Sequence, residues 1–324
     1  MPKESSQYGA LLRQELCARN RRYALGRAHV ESYGSSPVIV YAPEDGRHGN
    51  FLDAAYAAIQ ERLEWMRRFD KVHAQAGRSL PKAERRWREL DSSMSSDALL
   101  MNVFCTPGVA ESPAVRHMLG VDGGWAPVFG WKARVPLENG RFDRTEVDMR
   151  WGELMVEAKL TESDFQMCQE NVVEAYRDFD EVFDREMLPR VEIPVGRRKV
   201  ETEFPEDYSQ QEVFGDVECR RELITLPRDS VRGYESYQLI RNVLAAYAQG
   251  TSFCVIHDER RPDLREAWFQ VMSAVKSAEM RVRLKVLTWQ ELAADLPEEL
   301  QIFLDVKYGI VAPDRVASPL LDLP

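Results

Sequence analysis

The chain has 324 residues, 44% of them hydrophobic, with 43 Lys and Arg against 53 Asp and Glu for a net charge of -10. That is enough apolar material for a substantial core, and the acidic balance argues against a protein that coats nucleic acid nonspecifically, which needs clustered Lys and Arg. No run nears the roughly 18 apolar residues that cross a bilayer and the segment MPKESSQYG has no apolar signal core, so a soluble, cytoplasmic protein is expected.

Taken in order, helical spacing predicts a helix over about Gln7 to Ala28 and, after a Ser/Gly/Pro break, another from about Leu52 to Gln75, where Leu52, Ala55, Tyr56, Ile59, Leu63 and Met66 recur on one face. An Arg-rich helix near 82–90 comes next, then one starting at Ser95-Ser96-Asp97, residues favoured at helix starts. Past a Pro- and Gly-turned loop, alternation predicts strands over Val128 to Leu137, Thr145 to Arg150 and 154–160, joined by turns at Glu138-Asn139-Gly140 and Trp151-Gly152-Glu153. Residues 164–187 read as an acidic helix with a stripe of Phe165, Cys168, Val172, Tyr176, Phe179 and Phe183, and 189–232 as an irregular, Pro-punctuated insertion. A helix Tyr237 to Ala248, a strand Ser252 to His257, a helix Leu264 to Ser277, a strand Arg283 to Leu287 and a short helix Trp289 to Asp295 complete a strand-helix-strand unit. The expected class is α/β: a mixed central sheet flanked by helices, with an N-terminal helical extension (1–45), a core (46–312) and a tail (313–324).

The most informative segment is TEVDMRWGELMVEAKL, residues 145–160. With a period of two, Met155, Glu157 and Lys159 share one strand face while Val156, Ala158 and Leu160 share the other, and the hairpin brings Asp148 across from Glu157. Two carboxylates and an ammonium on an interior face are costly without a compensating partner. A divalent cation answers that cost: Mg²⁺ takes one or two carboxylates together with water and substrate phosphate, and a lysine supplies a point charge to orient or help deprotonate the attacking water or to steady charge on phosphorus. The three groups therefore point to metal-assisted phosphodiester hydrolysis. The bland alternative is a solvated strand with cross-strand ion pairs.

Asp148…Glu157-x-Lys159 resembles the active site of the PD-(D/E)XK nuclease superfamily. HGNF (48–51), WMRRFDKVH (65–73), RWRELDSSMSSDALLMNVF (86–104), RTEVDM with VEAKL, and YQLIRN (237–242) resemble one bacterial family of restriction endonucleases within it, the likeness spanning most of 45–300. Val147 stands where the superfamily's proline would be. The resemblance implies a restriction-endonuclease-like core, with Asp148 and Glu157 binding Mg²⁺, Mn²⁺ being able to substitute, and Lys159 positioning or activating the attacking water. It also implies a site glutamine at Gln238, a phosphate contact at Arg241, and a further metal-binding acid from the first core helix, Asp97 ranking ahead of Glu89. The expected activity is DNA cleavage in restriction or defence against foreign DNA, as a homodimer if both strands are cut. A non-catalytic DNA-binding or complex-assembling relative, or a nuclease for RNA or for branched or modified DNA, would keep the same residues.

Basic residues cluster before residue 90: Arg19, Arg21, Arg22 and Arg27, then Arg67, Arg68 and Lys71, then Lys82, Arg85, Arg86 and Arg88. This suggests a DNA-facing N-terminal half, with Arg85, Arg86 and Arg88 as nucleic-acid contacts. The five cysteines at 17, 105, 168, 219 and 254 have no Cys-x-x-Cys spacing, so buried reduced thiols are expected. No Walker loop or dinucleotide fingerprint is present, and no nucleotide cofactor is expected.

Overall fold

The computed structural model describes residues 5–32, 37–71, 88–195 and 229–313. Its centre is a five-stranded mixed sheet. Strands β1 (Val128–Pro136), β2 (Phe142–Trp151) and β3 (Leu154–Ala158) form an antiparallel meander, as the alternation of their residues predicts. The β2–β3 turn pairs Trp151 with Leu154 across Gly152, whose φ of 58° suits a residue without a Cβ. After β3 the chain adds β4 (Cys168–Gln169), β5 (Arg190–Val195) and β6 (Asp229–Tyr234), a small separate sheet in the order β4-β6-β5. It returns to the main sheet with β7 (Ser252–His257), parallel to β3 from Ser252↔Leu154 to Ile256↔Ala158, and β8 (Leu284–Thr288), parallel to β7. The order β8-β7-β3-β2-β1 makes β3 the middle strand, and every residue of it is buried.

Helices cover both faces. On one, Met149, Trp151, Val156, Ala158 and Ile256 pack with residues of α1 (Ser5–Tyr23), α3 (Ser96–Cys105) and α7 (Glu298–Tyr308). On the other, Met155, Phe253 and Val255 pack with α5 (Tyr237–Gln249) and α6 (Pro262–Ala274). Each layer buries one apolar stripe, the arrangement expected when a sheet is hydrophobic on both sides. Two smaller helices, α2 (Asp53–Gln60) and α4 (Pro113–Leu119), pack at the periphery. The expected mixed α/β core is the observed one, and α1, assigned from sequence to an N-terminal extension, contributes Leu12, Leu16 and Cys17 to the main core.

Four segments depart from the sequence expectation. The long helix expected over Leu52 to Gln75, of which 72–75 lie outside the described residues, stops at Gln60: Arg62 is extended, and short turns at Leu63–Met66 and Arg67–Asp70 fold back so that Trp65 and Phe69 pack against α3. The acidic helix over 164–187 is broken into β4 and short helical turns at Glu170–Val173 and Phe179–Val182, with Val173 buried and Val172 exposed. Burial of Tyr176, Phe179 and Tyr234 in one cluster outweighs helical periodicity here. The insertion over 189–232 is not irregular at its ends, because β5 and β6 pair along their whole length; 196–228 lies outside the described residues. Helix α7 went unpredicted, although Leu300, Phe303, Leu304 and Tyr308 are buried at helical spacing behind Pro297.

Candidate active site

Strand β3 runs buried between β2 and β7, and its C-terminal end carries Glu157 and, just beyond, Lys159. The two residues are 2% and 5% exposed, so two charges have been taken out of water and must satisfy each other. Lys159 Nζ donates to Glu157 Oε1 at 2.8 Å and to Gln238 Oε1 at 3.0 Å. The backbone is held as firmly, with Lys159 N donating to Ile256 O at 2.8 Å and Trp289 Nε1 donating to Lys159 O at 3.0 Å. Burial alone would pull the Lys159 ammonium toward neutrality, but Glu157, Glu162 and Asp148 outweigh it and raise its pKa, keeping it a cation.

Asp148 enters from β2. Its Oδ2 accepts the Ala158 N–H at 2.8 Å, tying the two strands where the β2–β3 ladder ends. The desolvating surroundings and the charges of Glu157 and Asp97 push its carboxyl well above the usual range, despite the opposing pull of Lys159 and the Ala158 amide. The β1–β2 ladder skips Gly130 and Asp148, and the alternation of faces breaks there: Val147 packs in the cluster under α5 and α6, Met149 in the opposite one. Gly130 has a φ of 65°, and a Cβ on it would strike Arg68 Nη1. A local irregularity of this kind re-aims one side chain of a strand.

Helix α5 supplies neutral partners. Gln238 faces Lys159, and one turn later the buried Asn242 donates from Nδ2 to Glu157 Oε2 at 2.9 Å while its Oδ1 accepts from Thr145 Oγ1 at 3.1 Å. Arg241 turns elsewhere, its guanidinium over the Tyr237 ring and 3.8 Å from Asp143.

Asp97, in the first turn of α3, is 6% exposed and receives Arg68 Nη2 at 2.7 Å and Lys71 Nζ at 3.1 Å. Arg68 Nη1 also donates to Glu146 Oε1 at 2.6 Å, and Lys71 and Lys132 reach the same carboxylate. Burial works against Glu146, but Lys132 and Arg68 hold it down to about 2. Glu89 is pushed up to about 7, chiefly by burial and by Asp97. Arg88 is exposed, and Arg85 and Arg86 lie outside the described residues. Glu162 bridges α3 to the end of β3, accepting Ser96 Oγ at 2.5 Å and Leu160 N at 2.7 Å. Behind it the fully buried Arg261 donates to the carbonyls of Leu160, Glu162 and Ser163.

The HGNF segment is scaffolding. His48 Nε2 meets Asp91 Oδ1 at 3.1 Å, and Asn50 bonds the Leu90 and Ser92 carbonyls and receives Lys307 Nζ at 2.6 Å. Sequence reasoning missed Asn242, Thr145, Glu162, Glu146 and Gly130 as parts of the site. Only Asn242 carried a signal, its i,i+4 spacing from Gln238 on a helix.

Among the described residues no group of three or more His, Cys, Asp or Glu is arranged to hold a metal ion. Mg²⁺ needs fewer, since water and phosphate complete its shell. Asp148 and Glu157 fit that limited role: burial first and then the charge of Glu157 raise the proton affinity of Asp148, and a cation would offset both.

A family model described as "Restriction Endonuclease associating with ARP" matches residues 14–309. No curated protein and no solved structure matches the chain. A match over that span, on a mixed sheet flanked by helices, shows that the chain belongs to this restriction endonuclease family.

Proposed function

We propose that this protein is a PD-(D/E)XK-type, Mg²⁺-dependent endonuclease that cleaves DNA in defence against foreign DNA. The observation that carries the reading is the convergence of Asp148, Glu157, Lys159 and Gln238 from two strands and a helix at the end of the central strand. Asp148 and Glu157 are the metal-binding carboxylates. Bound there, Mg²⁺ supplies Lewis-acid chemistry, lowering the pKa of water and stabilising the leaving 3′ oxygen. An ammonium has three N–H donors, and Lys159 directs two of them to Glu157 and Gln238; the third serves the attacking water or a phosphate oxygen. Beside carboxylate neighbours that raise its pKa, the Lys159 ammonium orients the water and steadies charge on phosphorus. Water adds to phosphorus as the P–O3′ bond breaks, leaving a 5′ phosphate and a 3′ hydroxyl.

Asp97 is committed to Arg68 and Lys71 and serves the site through them. The same reading puts the protein in the cytoplasm, where foreign DNA is met, with a homodimer for double-strand cutting and the ARP of the family description as its associate. No helix among the described residues is long and apolar enough to cross a membrane.

The test is cleavage of supercoiled plasmid and of linear single- and double-stranded DNA with Mg²⁺, Mn²⁺ or EDTA, comparing the native chain with Lys159→Ala. Metal-dependent nicking or linearisation that drops at least about 100-fold in the variant is expected, the scale of losing a preorganised charge at a reacting centre. Binding without cleavage under any metal would support a non-catalytic DNA-binding member of the fold, and cleavage confined to RNA would reassign the substrate.

A further inference from the structure

We infer that Asn242 is the positioning residue of the carboxylate site, and that α5 sets the geometry of the Glu157–Lys159 pair by matching its own pitch to that of the strand; this rests on the nuclease reading above. Four residues of helix rise about 6 Å, and two residues of strand rise about 6.6 Å. Gln238 and Asn242, four apart on α5, therefore meet Lys159 and Glu157, two apart on the chain, in register and in opposite chain order. Each charged group has its own amide.

The direction of the chain of bonds is set by chemistry. A carboxylate offers only acceptors, so Asn242 must present Nδ2 to Glu157; its Oδ1 then faces Thr145, whose hydroxyl must donate. Thr145, Asn242 and Glu157 are each no more than 2% exposed, so no water competes for these bonds. Asn242 engages Glu157 Oε2 while Lys159 engages Oε1, so each carboxylate oxygen has its own donor and the plane of the carboxylate is fixed. Groups that orient metal-binding side chains typically change metal affinity by about 10- to 100-fold when removed.

The experiment is direct Mn²⁺ binding by calorimetry to the native chain, Asn242→Ala, Thr145→Val and Glu157→Gln, with DNA binding in EDTA measured on the same samples. Asn242→Ala is expected to weaken Mn²⁺ binding by about 10- to 100-fold and leave metal-free DNA binding unchanged. Thr145→Val, which keeps the side-chain volume, is expected to cause a smaller loss and carries the test if Asn242→Ala fails to fold. Native Mn²⁺ affinity in either folded variant overturns the inference. Absence of Mn²⁺ binding by the native chain overturns it together with the nuclease reading. Mn²⁺ binding lost in Glu157→Gln and weakened in Asn242→Ala, without cleavage of any substrate, upholds it and removes only the catalytic assignment.

Discussion

Single side chains in this site are defined by the charges they cannot escape. Lys159 and Asp148 sit in the same desolvated corner, yet burial and like charges raise the carboxyl of one, while carboxylate neighbours reverse the effect of burial on the other. Glu89, named from sequence as a second-ranked metal acid, lies near Asp97 and Glu162, and both oppose its ionisation. Because its value in the fold, about 7, exceeds its ordinary 4.5, folding favours the neutral form. The associated stability is full below the unfolded value and is lost as pH rises through the folded one. Glu89→Gln should therefore raise the melting temperature at about pH 8 and change it far less at about pH 5. Thermal melts of the two proteins across that range check it, and an equal shift at both ends would show that Glu89 is ionised throughout.

At the scale of elements, the β1–β2–β3 meander departs from a perfect ladder where Asp148 sits. Its turn and its β3 faces follow from alternation, but the break at Gly130 and Asp148 depends on a left-handed glycine packed on Arg68. Gly130→Ala places a Cβ in that contact and forces a side chain into left-handed backbone, at a cost of about 1–2 kcal/mol before any displacement of Arg68 is counted. Urea denaturation measures the loss, and a destabilisation below about 0.5 kcal/mol would show that the strand relaxes around the new methyl. Arg261 works at the same scale from outside the site: its bonds to three loop carbonyls and to Asp263 lock the exit of β3 in place.

Over the whole molecule, an acidic chain must present its positive charge locally if it is to meet DNA. Lys71 and Lys132, 40% and 66% exposed, stand at the rim of the site on Glu146, close to where Arg68 joins the carboxylate cluster. Exposed lysines of this kind exchange a surface carboxylate for a phosphate at little cost. Replacing both by Ala should weaken DNA binding in EDTA and make its dependence on log salt shallower by about 2, one unit for each phosphate contact. An unchanged slope would move the DNA-binding face elsewhere, with exposed Arg88 the next residue to test.

The sequence by itself determined the parts whose information is local. Alternation predicted β1 to β3 and the face shared by Glu157 and Lys159, helical spacing marked α5 and α6, and the order Asp148…Glu157-x-Lys159 marked the residues that converge at the end of β3. Tertiary structure alone decided the rest. The helix after Leu52 breaks because Trp65 and Phe69 gain more by packing on α3 than by extending it, and the acidic stretch after Lys159 breaks because Tyr176 and Phe179 are drawn into one cluster with Tyr234. Thr145 meets Asn242 across 97 positions, and Arg68 meets Glu146 across 78. Periodicity reports which face of an element is apolar; it carries no record of which distant polar group will stand opposite, and in a desolvated site that pairing decides which charges are tolerable.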